Sequence, residues 1–287
     1  MANLKGGTYE KQCKDLFHRL EAFGKGRHGK ADHLTHSDKL AEKRTMFAND
    51  FKKFLEQNNI QGKMNQAMTN ENIKTFLDKR LEGLKYSSQE NYVRSFSSML
   101  KGLSESNVSI PCDNSIFDNK VAEIKANTTS EVITGRSIAN PMYTVERLAS
   151  MRFESSVLAE VQLLGVRISE CFEIVKNLDS YYNEANGTID TLIGKGNHTY
   201  EAKSISSELV EKIRACENIP SENTYRNDLK KVDVEYSHDW RYTYAKAEFE
   251  TKIENGVEYH QALREISEGL NHSLKRESMT LSYLRRA

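Results

Sequence analysis

Only one stretch of this chain reads clearly as β-structure, "GTIDTLIGKGNHTYEAKSIS" from Gly187 to Ser206. β-Branched residues lie on both sides of Gly194-Lys195-Gly196-Asn197, as in a hairpin with a glycine-rich turn. Elsewhere the chain has three prolines, little glycine outside a few spots and abundant Lys and Glu, so the rest is expected to be helical. The fold class that follows is mainly α with a small β-hairpin or sheet (α+β). With 287 residues there is room for two domains, each with its own core.

Helical periods support that division. Leu40, Phe47, Phe51, Phe54 and Leu55 fall on one stripe; Ile73, Phe76, Leu77 and Leu81 form a second; Tyr92, Phe96, Met99 and Leu103 form a third behind Ser87 and Glu90, which read as a capping box. Residues 36–125 are therefore expected to be a helical bundle. Residues 1–35 are polar and contain "GKGRHGKADH", which reads as a basic flexible arm or a solvated tail. Residues 126–142 lack a helical period and end at a proline, the pattern of a linker. A second domain then occupies 143–287. It opens with a helix capped at Thr144, followed by the dense apolar set Val157, Leu158, Val161 and Leu164, which Gly165 interrupts. No internal repeat is visible.

Charge excludes less than it constrains. Lys+Arg and Asp+Glu both number 41, so bulk charge gives no reason to expect a polyanion partner. Residues 1–125 carry 21 cations against 16 anions and residues 151–287 carry 18 against 23, so a nucleic-acid partner requires cations gathered on one face of each half. The four cysteines are scattered without metal-ligand spacing, which points to reduced thiols and no metal. The N-terminus lacks the apolar run of a signal peptide, and no stretch of about 18 apolar residues exists to span a membrane. A cytoplasmic protein without cofactors is expected.

The candidate chemical residues are individually bland. Arg167 in "VRISE" suits a helix start with a surface cation, "GKG" lacks the pattern of a phosphate loop, and "HDWR" suits a solvated helical turn. Their order is more informative: "LLGVRISECFEI", "LIGKGNHTYEAKSIS", "SHDWRYTYA", "ISEGLNHS" and "MTLSYL". The chain thereby resembles the tyrosine recombinases, the family of phage integrases and Xer recombinases. The resemblance implies six catalytic residues, Arg167, Lys195, His238, Arg241, His272 and Tyr283, with Glu170 as a supporting acid. The motifs cover 144–287; the bundle resembles the family's core-binding domain by position and pattern only.

The family chemistry suits these residue types. A phosphodiester attacked by oxygen gains charge in a pentacovalent transition state, and that charge must be stabilised without reorganisation. Arg167 and Arg241 carry planar, permanently charged forks for non-bridging oxygens, with His272 as a further donor. The i, i+3 spacing of His238 and Arg241 puts both on one helical face. His238 is the expected proton acceptor, Lys195 the expected acid for the departing 5′ oxygen, and Tyr283 the nucleophile that forms a 3′-phosphotyrosine. Neither metal nor ATP enters.

The resemblance further implies double-stranded DNA with specific attachment sites, a homo-tetramer working through a Holliday junction, a mobile element as source, and a place for host recombinases or accessory DNA-bending proteins as partners. The chain departs from the family pattern in several places. Trp240 stands where leucine is usual and Asn271 where glycine is usual; asparagine tolerates a left-handed backbone better than most residues. The Arg241–His272 interval is long, with an apparent extension at 250–261, and the interval between hairpin and His238 is short. Four residues follow Tyr283. Exchange of a helix beyond the tyrosine is therefore not expected, and subunit contacts are assigned to 250–261 or to the bundle. Two alternatives remain open: a non-catalytic accessory factor that regulates another recombinase, and a type IB topoisomerase-like relaxase.

Overall fold

The computed structural model describes residue 4 and residues 6–25, 32–127, 134–190, 192–194, 199–272 and 276–287. The chain divides into two compact units, Met1–Ser130 and Glu131–Ala287, with the division inside the expected linker. Among the described residues it is mainly helical with one small antiparallel sheet. No helix is long and apolar enough to cross a membrane.

The first unit contains α1 (Tyr9–Leu20), α2 (Asp38–Gln57), α3 (Met64–Ala67), α4 (Asn70–Leu81), α5 (Tyr86–Glu105) and α6 (Ser115–Ala126). The three apolar stripes lie on α2, α4 and α5, where Phe47, Phe51, Phe76, Tyr92 and Phe96 meet through edge-on and tilted ring contacts. Such pairs contribute about 0.5–1.5 kcal/mol each beyond their buried area.

Two expectations for this half are corrected. Residues 9–20 are not arm but helix: Thr8 accepts a hydrogen bond from Lys11 N, and Cys13, Leu16 and Leu20 join the core. The basic stretch after it falls partly on 26–31, outside the described residues. Nor do Ser87 and Glu90 form a capping box, because α5 starts one residue before Ser87, with Lys85 at its N-cap and no side-chain cap bond.

The second unit contains α7 (Pro141–Met151), α8 (Phe153–Gln162), α9 (Ile168–Lys176), β1 (Tyr182–Asn183), β2 (Thr188–Ile189), β3 (Lys203–Ser204), α10 (Ser207–Arg214), α11 (Glu222–Lys231), α12 (Asp239–Glu254), α13 (Tyr259–Gly269) and α14 (Glu277–Leu284). The expected hairpin is present as the antiparallel β2–β3 pair, extended by an isolated bridge between Ile193 and Thr199; β1 adds a strand that the sequence did not suggest. Its turn, 195–198, lies outside the described residues.

The cap at Thr144 is corrected to Asn140, whose side chain accepts from Tyr143 N while Pro141 opens the helix. The expected extension at 250–261 is the end of α12, a turn, and the start of α13, tied by Lys252 to Glu265 at 2.7 Å.

The linker also has a structured end. Ile138 N donates to Thr243 Oγ1 on α12, and Arg136 N donates to Arg286 O.

Candidate active site

Six of the seven residues singled out in the sequence sit at the boundaries of secondary structure. Arg167 is the N-cap of α9, and Glu170 in its first turn reaches back to accept from Arg167 N at 2.6 Å. His238 is the N-cap of α12 and Arg241 follows in its first turn. His272 lies just past α13, presented by Asn271 in the left-handed conformation (φ 53°) that asparagine accommodates better than most residues. Tyr283 is in the last turn of α14 and buried. Lys195 lies outside the described residues.

Tyr283 is the centre of the cluster. Its hydroxyl lies 2.9 Å from Nε2 of His238 and accepts from Nε of Arg241 at 3.4 Å. The His272 ring is 6.0 Å from the Tyr283 ring, and among the described residues His272 Nε2 is buried without a hydrogen-bond partner. Residues 42 and 45 positions apart in sequence thus share one phenol oxygen.

Arg241 is fully buried. Nη1 donates to Gly165 O and, at 3.3 Å, to the Tyr200 hydroxyl; Nη2 donates to Leu270 O at 2.7 Å. A guanidinium has five N–H donors, so these contacts leave Nε–H and one Nη2–H for the side on which Tyr283 lies. Gly165 makes this anchoring possible. It has φ 81°, and a Cβ there would come within 2.6 Å of the Tyr244 ring.

Sequence reasoning missed two further residues. The Tyr200 hydroxyl donates to Glu170 Oε2 at 2.5 Å and accepts from Nη1 of Arg167 at 3.0 Å and of Arg241 at 3.3 Å, while Arg167 Nη1 also reaches Glu170 Oε1 at 2.9 Å. Arg136 sits 4.5 Å over the Tyr242 ring and 4.9 Å over the Tyr236 ring, and donates twice to Asp239 Oδ1, at 2.9 and 2.6 Å. Tyr242 in turn lies 4.9 Å from the Tyr283 ring and 5.4 Å from His238. Tyr200 stood within the hairpin sequence, but nothing local marks a hairpin tyrosine as a bridge; Arg136 was hidden in the linker.

Burial and concentrated positive charge set the protonation states. Desolvation, then Arg241, Arg136 and Arg167, holds His238 down to about 4; desolvation, then Arg241 and Arg167, does the same to His272. Both imidazoles are therefore neutral near pH 7. With the Nδ1–H tautomer, His238 Nε2 is free to accept the Tyr283 proton.

A cavity of about 740 Å³ lies elsewhere in this unit; it is lined by Glu201, Glu248, Glu265 and Glu268 among others, and none of the described candidate residues lines it. Its inner wall carries Lys203, buried over the Tyr244 and Tyr200 rings at 4.8 and 5.7 Å, with desolvation and then Arg241 lowering its ammonium to about 8. Negative charge thus collects in this cavity and positive charge around Tyr283. The residues at Tyr283 suit an anionic phosphorus centre: a phenol, a neutral base and fixed guanidinium donors. No family model, curated protein or solved structure matches the chain.

Proposed function

We propose that this protein is a tyrosine site-specific recombinase that cleaves and rejoins DNA through a 3′-phosphotyrosine. The observation that carries the proposal is the shared phenol oxygen: Tyr283, His238 and Arg241 meet at one atom, and Arg167, Glu170 and His272 stand around them. A buried phenol hydrogen-bonded to a neutral imidazole and an arginine is costly to assemble for packing alone, since each polar atom must be desolvated and matched.

In the proposed reaction Tyr283 Oη attacks the scissile phosphorus while its proton passes to His238 Nε2. The charge on the non-bridging oxygens falls to the remaining Nη2–H of Arg241, to Arg167 and to His272 Nε2, which has no partner among the described residues. The P–O5′ bond breaks, and the departing 5′ oxygen takes a proton from Lys195, a role that rests on the family resemblance. The phosphotyrosine conserves the phosphoester bond, so a second 5′-hydroxyl can reverse the step without ATP. A homo-tetramer on two DNA sites, exchanging strands through a Holliday junction, completes the proposal.

The test is a nicked suicide DNA substrate incubated with the full chain, then denatured and digested for mass spectrometry. A DNA adduct on Tyr283 is expected. Specific binding without an adduct on any substrate would replace the proposal with an accessory DNA-binding protein, and relaxation of supercoiled DNA without site preference would replace it with a topoisomerase-like relaxase.

A further inference from the structure

We infer that Tyr200 is a positioning residue that sets the separation and orientation of the two arginines at the scissile phosphate. The inference rests on the strand-transfer proposal and adds to it a group that the family resemblance did not supply.

A phenol hydroxyl has one proton to donate and two lone pairs to accept with. Tyr200 uses all three: the proton goes to Glu170 Oε2, and the lone pairs take Nη1 of Arg167 and Nη1 of Arg241. Arg167 lies at the start of α9 and Arg241 in the first turn of α12, so the two guanidiniums belong to different helices. Among the described residues, Tyr200 is the hydrogen-bond partner that they share. Two cations this close repel, and a neutral oxygen between them, backed by the Glu170 carboxylate, holds them together without cancelling their charge.

The hub is itself fixed. Tyr200 is buried; Tyr200 N donates to Leu192 O, and the Lys203 ammonium lies over its ring. Gly194 packs so tightly beside it that a Cβ would approach the Tyr200 ring and Glu170 Oε1 to 2.9 Å each. Burial pushes the phenol up to about 12, so it remains a neutral donor across the working range. Among the described residues the Tyr200 hydroxyl bonds Glu170, Arg167 and Arg241 and not Tyr283, so it acts on the phosphate only through Arg167 and Arg241.

The consequence concerns charge on the phosphate. Arginines held in register matter in proportion to the negative charge that their target carries. A methylphosphonate at the scissile position replaces a charged non-bridging oxygen with a methyl group and removes most of that demand. Single-turnover adduct formation is therefore measured for the wild-type chain and Tyr200→Phe, on nicked DNA with either a phosphodiester or a methylphosphonate at the cleavage site.

The expected result is a loss of about tenfold to a hundredfold on the phosphodiester, the range for one hydrogen bond to a charged group. Little or no loss is expected on the methylphosphonate, with DNA affinity retained and the variant folded at the assay temperature. Equal losses on the two substrates would reduce Tyr200 to packing and overturn the inference, as would no loss on either. Failure of the wild-type chain to form an adduct would instead reject strand transfer, and this inference with it. If Tyr200→Phe does not fold, Glu170→Gln keeps the shape while weakening the hub, and the same substrate-selective loss is expected.

Discussion

The Tyr283 hydroxyl and His238 Nε2 stand 2.9 Å apart, and the imidazole is neutral because burial and three arginines oppose its protonation. Proton transfer from phenol to imidazole therefore needs no rearrangement of either side chain. Tyr283→Phe is expected to abolish covalent adducts and leave DNA affinity within about twofold, because the ring's packing against Tyr242 and His238 is retained. Filter binding and a denaturing gel separate these effects. Adducts that persist would move the nucleophile to another tyrosine.

The depressed imidazoles also make stability depend on pH. In the unfolded chain His238 and His272 titrate near 6.5, whereas in the folded chain both titrate near 4. Between these values the unfolded state binds more protons, so stability rises with pH. Stability is at its full value above about pH 6.5 and declines as pH falls towards 4, where the effect levels off. Thermal midpoints of the wild type should thus fall more steeply over this window than those of His238→Gln/His272→Gln. Parallel curves would show that the two rings are not held neutral.

Most of the helical framework was legible because its signals are local. The stripe through Phe47, Phe51 and Phe54 lies within two turns of one helix, and the β2–β3 hairpin joins neighbouring stretches of chain across a glycine-containing segment. The approach of Arg167, His238, Arg241 and Tyr283 could be anticipated only from the family order of the motifs, since no local rule brings α9, α12 and α14 together. Helix α1 was misread because charges fill the exposed face between Cys13, Leu16 and Leu20 and masked a valid apolar spacing. Tyr200 and Arg136 were illegible for another reason. Their roles are purely tertiary: Arg136 meets Asp239 103 positions away, and Tyr200 meets Arg167 across 33.

Gly165 links stability to the site. Its φ of 81° is unfavourable for any residue with a Cβ, and a Cβ would collide with the Tyr244 ring. Gly165→Ala is expected to cost about 2–4 kcal/mol, combining left-handed strain with overpacking. Because Gly165 O accepts from Arg241, adduct formation should slow as well, even under conditions where the variant is fully folded. Chemical denaturation gives the first quantity and single-turnover cleavage the second. A variant as stable as the wild type would refute the close contact.

Lys195 provides a chemical test independent of its placement. If it protonates the departing 5′ oxygen, Lys195→Ala should slow cleavage of ordinary DNA by about 100-fold or more, the range of general acid catalysis. A 5′-bridging sulfur leaves without protonation and should restore most of the rate. Absence of rescue, measured with both substrates at saturating protein, would assign the acid to another group.

Arg136 connects the end of the linker to the candidate active site. Its backbone N–H bonds Arg286 O, Ser137 Oγ bonds Ala287 O, and the Arg136 guanidinium spans Asp239 and Tyr242 beside the His238–Tyr283 pair. The ion pair to Asp239 at 2.6 Å joins a buried carboxylate to a partly exposed arginine, and removing Arg136 leaves that carboxylate at the start of α12 without its partner. Breaking such a pair from one side costs about 3–5 kcal/mol in a fully buried setting; the partial exposure of Arg136 lowers this to about 1–2 kcal/mol. Loss of the cation also removes one of the charges that hold the His238 imidazole down. Arg136→Ala should therefore destabilise the second unit by that amount and move the His238 titration upward, read by NMR of the imidazole. Arg136→Lys should restore much of the titration shift, which depends on charge, but less of the stability, which depends on the two-donor contact to Asp239. Full restoration of both by lysine would show that charge alone, and not the planar fork, is what Arg136 contributes.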